Sequence, residues 1–121
     1  MSKRILAIDD QEDNRRILHD LLTAVGYEVL EAVDGEDAVA QAEAQVPDLI
    51  LMDIQLPGID GYEATRRIKA NPALARIPVI AVTSYALTGD EDKAMEAGCD
   101  AYIAKPYSPR ALLAKVREFL T

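Results

Sequence analysis

Two short apolar runs in this chain end in acids. Ile5-Leu6-Ala7-Ile8 runs into Asp9-Asp10, and Leu49-Ile50-Leu51-Met52 runs into Asp53. Such runs read as strands of a parallel sheet buried on both faces. Their ends fall at the carboxyl edge of the sheet, where α/β folds bind ligands. Val79-Ile80-Ala81-Val82 ends in Thr83-Ser84, and Ala101-Tyr102-Ile103-Ala104 ends in Lys105-Pro106. One edge therefore collects three acids, a hydroxyl and a lysine.

Three carboxylates this close repel one another, and a cation relieves the repulsion. Hard oxygen ligands with no His or Cys beside them favour Mg²⁺, held by a few carboxylates, waters and substrate phosphate. Asp9, Asp10 and Asp53 with Lys105 and one Mg²⁺ balance in charge. Phosphoryl transfer suits such a site, because its catalysis is mostly positioning and neutralisation of oxygen charge. One of the carboxylates can act as nucleophile and form an acyl phosphate. Thr83 could donate its hydroxyl to one phosphoryl oxygen, and Lys105 could pair with another as a point charge.

Helix signals alternate with the strand signals. Ile17, Leu18, Leu21, Leu22 and Val25 recur at helical spacing before Gly26, and Tyr27 to Ala32 reads as an edge strand. Asp34 is the expected N-cap of a helix carrying Ala38, Val39 and Ala42, which ends before Pro47. Asp60 with Glu63 caps a helix through Ile68 that stops at Asn71-Pro72. Thr88-Gly89-Asp90-Glu91 fits a capping box whose helix ends at Gly98. Ser108-Pro109 starts a last helix with an inward stripe of Leu112, Leu113, Val116, Phe119 and Leu120. Five β-α units predict a parallel sheet with helices on both faces.

At 121 residues the chain suits one domain. A net charge of −8 argues against direct nucleic-acid or anionic membrane contact and favours a protein or cation partner. Cys99 is the only cysteine, which excludes an internal disulfide and reads as a small buried residue. The first apolar run is too short for a signal peptide or membrane helix, so a cytoplasmic location is expected. His19, the only histidine, points away from the apolar stripe and reads as a surface residue. Glu12-Asp13 and Glu91-Asp92 read as first-turn acids that complement helix dipoles.

Asp9-Asp10, the segment Met52-Asp53-Ile54-Gln55-Leu56-Pro57-Gly58-Ile59-Asp60-Gly61, then Thr83-Ser84 and Tyr102-Ile103-Ala104-Lys105-Pro106 occur in that order. Together they resemble the receiver domain of two-component response regulators, over residues 4 to 120. The resemblance implies a flavodoxin-like (βα)5 sheet of order 2-1-3-4-5, and because the sequence stops at its fifth helix a single receiver over 1–121 with no output domain is expected. It implies phosphorylation of Asp53 by a phosphohistidine on a histidine kinase or histidine phosphotransfer protein. It further implies Mg²⁺ on Asp10, Asp53 and the Gln55 carbonyl, with Asp9 acting through water. Thr83 and Tyr102 match the family's switch pair, and the Lys105-Pro106 bond would be cis. Output would pass to a downstream protein, through a phosphorylation-linked homodimer, or by relay of the phosphoryl group.

Two positions depart from the common pattern: Leu56 stands where many members have Met, and Ser84 where Ala is common. The run Asp9 to Arg15 is most similar to free-standing cell-cycle regulators and to receivers of hybrid kinases. The resemblance also implies that the side chains two residues past the acceptor and two past Thr83, here Gln55 and Tyr85, flank the path of a hydrolytic water. Gln55 can help place that water, whereas the Tyr85 ring shields against it. Two other functions compete for such a set of residues. A phosphatase of the haloacid dehalogenase type needs a general acid where this chain has Gln55, and a cap domain. A flavin carrier needs a hydroxyl- and glycine-rich phosphate loop where this chain has the acidic Asp9–Asp13 segment.

Overall fold

The chain is described here by a computed structural model covering residues 3–83 and 90–120. Five strands, β1 (Arg4–Ile8), β2 (Glu28–Ala32), β3 (Leu49–Asp53), β4 (Val79–Thr83) and β5 (Ala101–Ala104), form one parallel sheet in the order β2-β1-β3-β4-β5. Five helices alternate with them: α1 (Glu12–Ala24), α2 (Gly35–Gln45), α3 (Gly61–Ala70), α4 (Asp90–Ala97) and α5 (Pro109–Phe119). The expected order and the alternation of elements both hold.

The strand runs are apolar without alternation because each strand serves two cores. Leu6, Ile8, Ile50, Met52 and Ala81 face one core with residues of α2, α3 and α4. Ile5, Ala7, Leu49, Leu51, Ile80 and Val82 face the other, closed by Leu18 and Leu22 of α1 and by Leu112 and Val116 of α5. β3 and β4 are buried along their whole length, while the edge strands β2 and β5 are partly exposed. Cys99 is buried just before β5, and Tyr102 packs half-buried against the first core.

Local chemistry sets the helix ends. The side chains of Asp34, Asp60 and Ser108 accept hydrogen bonds from the N–H groups of Asp37, Glu63 and Ala111, as expected of N-caps. Glu63 does not reach back to complete a capping box, because its carboxylate pairs with Arg66 and Arg67. The expected box at Thr88 lies outside the described residues. The α2 C-cap is Val46 in the left-handed region (φ 44°), an unfavourable conformation for a β-branched side chain.

The stripe expected on α1 is narrower than its periodicity suggests. Leu18 and Leu22 are buried, but Ile17 is 58% and Val25 41% exposed. Ile17 is turned about 100° from Leu18 and so leaves the sheet-facing side. Val25 lies beyond the last helical residue as the C-cap, so the helical face does not carry it inward. His19 is half-buried rather than fully solvated, with Nδ1 3.7 Å from a carboxylate oxygen of Glu31.

Candidate functional site

The order β2-β1-β3-β4-β5 makes β1 and β3 neighbours whose following connections run to opposite sides of the sheet. A crevice forms at such a reversal, outside the carboxyl ends of the strands. Asp9 and Asp10 follow β1 directly, and Asp53 is the last residue of β3. Thr83 ends β4, and Lys105 follows β5, its N–H donating to the Thr83 carbonyl at 2.6 Å. The Lys105–Pro106 peptide is cis.

One carboxylate oxygen from each of Asp9, Asp10 and Asp53 can be chosen so that all three lie within 4.8 Å of one another. Asp9 and Asp53 are buried, at 2% and 5% exposure, while Asp10 is exposed. The two buried acids are held in the same manner. Oδ1 of Asp9 accepts from the Gln11 N–H at 2.9 Å, and Oδ1 of Asp53 accepts from the Gln55 N–H at 3.0 Å. These local bonds to the main chain two residues on fix each carboxylate as its strand turns into a loop. Their other oxygens face one cation: Lys105 Nζ lies 3.3 Å from Oδ2 of Asp9 and 3.5 Å from Oδ2 of Asp53.

Burial pushes the Asp53 carboxyl above its ordinary value, with the Asp9 charge adding to the rise. Lys105 and the Gln55 N–H oppose that rise without cancelling it. Burial alone would lower the Lys105 ammonium, but the Asp53 and Asp9 charges outweigh it and raise it. One lysine, paired with two of the acids, thus stands beside a cluster of three, an imbalance that a divalent cation corrects. The donor set is all oxygen, and Asp10 presents its carboxylate to solvent, so the residues present fit Mg²⁺.

Gly61 is what lets the loop after β3 close against the site. Its N–H donates to the Ile54 carbonyl at 3.0 Å, and a Cβ there would collide with the Asp53 carbonyl and with the Ile54 backbone. Gln55 is exposed at the start of this loop. Thr83 is buried at the neighbouring strand end, and Tyr102 on β5 pairs in register with Ala81, two residues before Thr83. Tyr85 and Ser84 lie outside the described residues.

A groove of about 440 Å³ adjoins the acids, lined by Asn14, Ile17, Lys105, Pro106 and Tyr107. Burial raises the Tyr107 phenol above its ordinary value. Helical periodicity hides this groove, because it counts Ile17 as core; Arg15, which touches the Asp9 main chain, also carries no motif. The polar neighbours of Ile17 on the sequence, Arg15-Arg16 before it and His19 after it, are the available hint of a surface position.

The response regulator receiver domain matches residues 5–117 of the chain. The chain belongs to this family. Its relatives include the polar-differentiation response regulator DivK of Brucella ovis, 42% identical over 120 residues, which span 99% of this chain and 98% of the relative. Among solved structures, the receiver domain of the sensor histidine kinase PA1611 from Pseudomonas aeruginosa superposes with a TM-score of 0.92 at 38% identity. It covers 99% of this chain and 98% of its own, and it has a magnesium ion coordinated in its active-site cleft. The chemotaxis protein CheY4 of Vibrio cholerae gives a TM-score of 0.93 at 25% identity, over 98% of this receiver and 99% of its own chain. Receivers are regulators rather than classical enzymes. Among the described residues of this one, no helix is long and apolar enough to cross a membrane.

Proposed function

We propose that this receiver accepts a phosphoryl group on Asp53 from a phosphohistidine of a histidine kinase or histidine phosphotransfer protein. The resulting change is read by a further protein, or the phosphoryl group is passed onward. The observation that carries this reading is the convergence of Asp9, Asp10 and Asp53 within 4.8 Å, with Lys105 Nζ against two of them. The family match over 5–117 supports treating the 121 residues as one receiver.

The Asp53 carboxylate attacks phosphorus in line, the P–N bond to the imidazole breaks, and the imidazole leaves with its electron pair. Burial and the Gln55 N–H hold the Asp53 oxygens in one orientation, which lowers the entropic cost of that approach. Asp10, Asp53 and the Gln55 carbonyl would hold Mg²⁺, with Asp9 behind them. The bound ion would neutralise charge on the transferred oxygens. Lys105, already bridging the two buried acids, is placed to follow a phosphoryl oxygen on Asp53. The Thr83 hydroxyl takes another oxygen, and Tyr102 on the adjacent strand responds to that shift as the second switch residue.

The groove beside Lys105 gives the donor a seat. Its neutral walls, Asn14, Ile17, Pro106 and Tyr107, meet the acids at Lys105, so a protein resting there brings a histidine to the crevice. The reading is tested by incubating the metal-stripped protein with phosphoramidate, with and without Mg²⁺, and recording intact mass. One phosphoryl adduct that requires Mg²⁺ is expected. Absence of any adduct with both present would overturn the reading.

A further inference from the structure

The turn between β1 and α1 carries two of the three acids, and one side chain outside the cluster holds that turn by its main chain. Arg15 in α1 is 14% exposed. Its Nη1 donates to the Asp9 carbonyl at 2.8 Å, and its Nε donates to Oε1 of Glu31 on β2 at 3.2 Å. The Asp9 N–H donates to the Ala32 carbonyl at the end of β2, at 3.2 Å. Asp9 is therefore tied to β2 from both sides, directly through its N–H and by way of Arg15 and Glu31 through its carbonyl.

That carbonyl belongs to the peptide joining Asp9 to Asp10. The peptide is planar, so fixing its oxygen fixes the direction in which the Asp10 Cα leaves. The Asp10 carboxylate itself receives no hydrogen bond among the described residues. The ties that bear on its position run through the Asp9 main chain.

We propose that Arg15, braced by Glu31, is the positioning residue for Asp10, holding the Asp9–Asp10 peptide so that this acid points into the divalent-cation site. Arginine suits the task because its planar fork serves two acceptors at fixed angles, which a lysine cannot do. The inference rests on the Mg²⁺ reading given above.

Its sign separates positioning from charge. If Arg15 acted only as a nearby cation, removing it would tighten Mg²⁺ binding by reducing repulsion. As a positioning residue, its removal loosens binding, as loss of the groups that orient metal ligands generally does. The test is calorimetric Mg²⁺ titration of the full chain as wild type, Arg15→Gln, Arg15→Lys and Lys69→Gln. Lys69 ties α3 to Asp100 and to the carbonyls of Ala75 and Ile77 at the opposite edge of the sheet, so its loss lowers stability away from the acids.

Arg15→Gln is expected to weaken Mg²⁺ binding about tenfold. Arg15→Lys should fall between it and wild type, and Lys69→Gln should lower Tm with Mg²⁺ affinity unchanged. In the metal-free protein the Asp10 amide resonance should move in both Arg15 variants and stay in place in Lys69→Gln. Should Arg15→Gln not fold, Arg15→Lys decides by the same two readouts. Mg²⁺ binding by the Arg15 variants as tight as wild type or tighter overturns the proposal, as does equal weakening in Lys69→Gln. A wild type that takes up no Mg²⁺ overturns the functional reading itself, a result distinct from either of these.

Discussion

Lys105 Nζ lies 3.5 Å from Oδ2 of Asp53, a contact between residues 52 positions apart in the chain. The sheet makes it possible: β4 separates β3 from β5, and both strand ends reach the same edge. The ammonium sits over the carboxylate at a partly buried site, where neither charge is well hydrated. Burial holds the Asp53 carboxyl above its ordinary value against the opposing pull of Lys105, while the Asp53 and Asp9 charges overcome burial and raise the ammonium.

Asp53 gives metal-free stability a pH dependence of definite sign. Its folded pKa is raised, so its stabilising contribution is complete below the ordinary carboxylate value. That contribution is lost as pH rises through the folded value. Asp53→Asn removes this loss. Between acid and neutral pH, with chelator present, Tm of the variant should gain on wild type. A constant difference between the two Tm–pH curves would contradict the raised value.

Asp10→Asn removes a carboxylate from the cluster while keeping its shape. Like-charge repulsion falls, so thermal stability without metal should stay equal or rise. Mg²⁺ affinity should drop at the same time. Calorimetry that finds affinity unchanged would show that Asp10 is not a ligand.

Thr83→Ala leaves the acids and Lys105 in place but removes the buried hydroxyl at the end of β4. Phosphorylation should still proceed, while its effect on the Tyr102 environment and on partner binding weakens. Tyr102 ring resonances can follow this. A phosphorylation-induced change as large as in wild type would contradict a switch role for Thr83.

Strand ends and helix caps were legible in the sequence because both are written locally. Ile8-Asp9, Met52-Asp53 and Ala104-Lys105 mark where apolar strands stop, and Asp34, Asp60 and Ser108 cap the residues that follow them. The exposure of Ile17 was not legible, since spacing gives the period of an apolar face and not its width. Nor was the tie from Arg15 to the Asp9 carbonyl, because a side chain's main-chain acceptor leaves no mark on the residue types around it. Tyr85, expected from the sequence to shield the phosphoryl group, lies outside the described residues and stays a sequence-based expectation.

Val46 offers a stability test away from the site. Its φ of 44° is disfavoured for a β-branched residue, and Asn tolerates that region better. Its N–H bond to the Ala42 carbonyl at 2.9 Å does not depend on the side chain. Val46→Asn should stabilise the protein by about 1 kcal/mol, which raises Tm by about 4 °C. A thermal melt showing no gain would mean that the contacts of the Val46 side chain offset its strain.

The roles proposed for the other site residues all depend on Asp53 being the phosphoryl acceptor. Wild type and Asp53→Asn, each incubated with phosphoramidate and Mg²⁺, should differ in intact mass by one phosphoryl adduct, present in wild type and missing in the variant. Matching circular dichroism would show that the variant keeps its fold. Stoichiometric labelling of folded Asp53→Asn would place the acceptor on another residue and contradict the central claim.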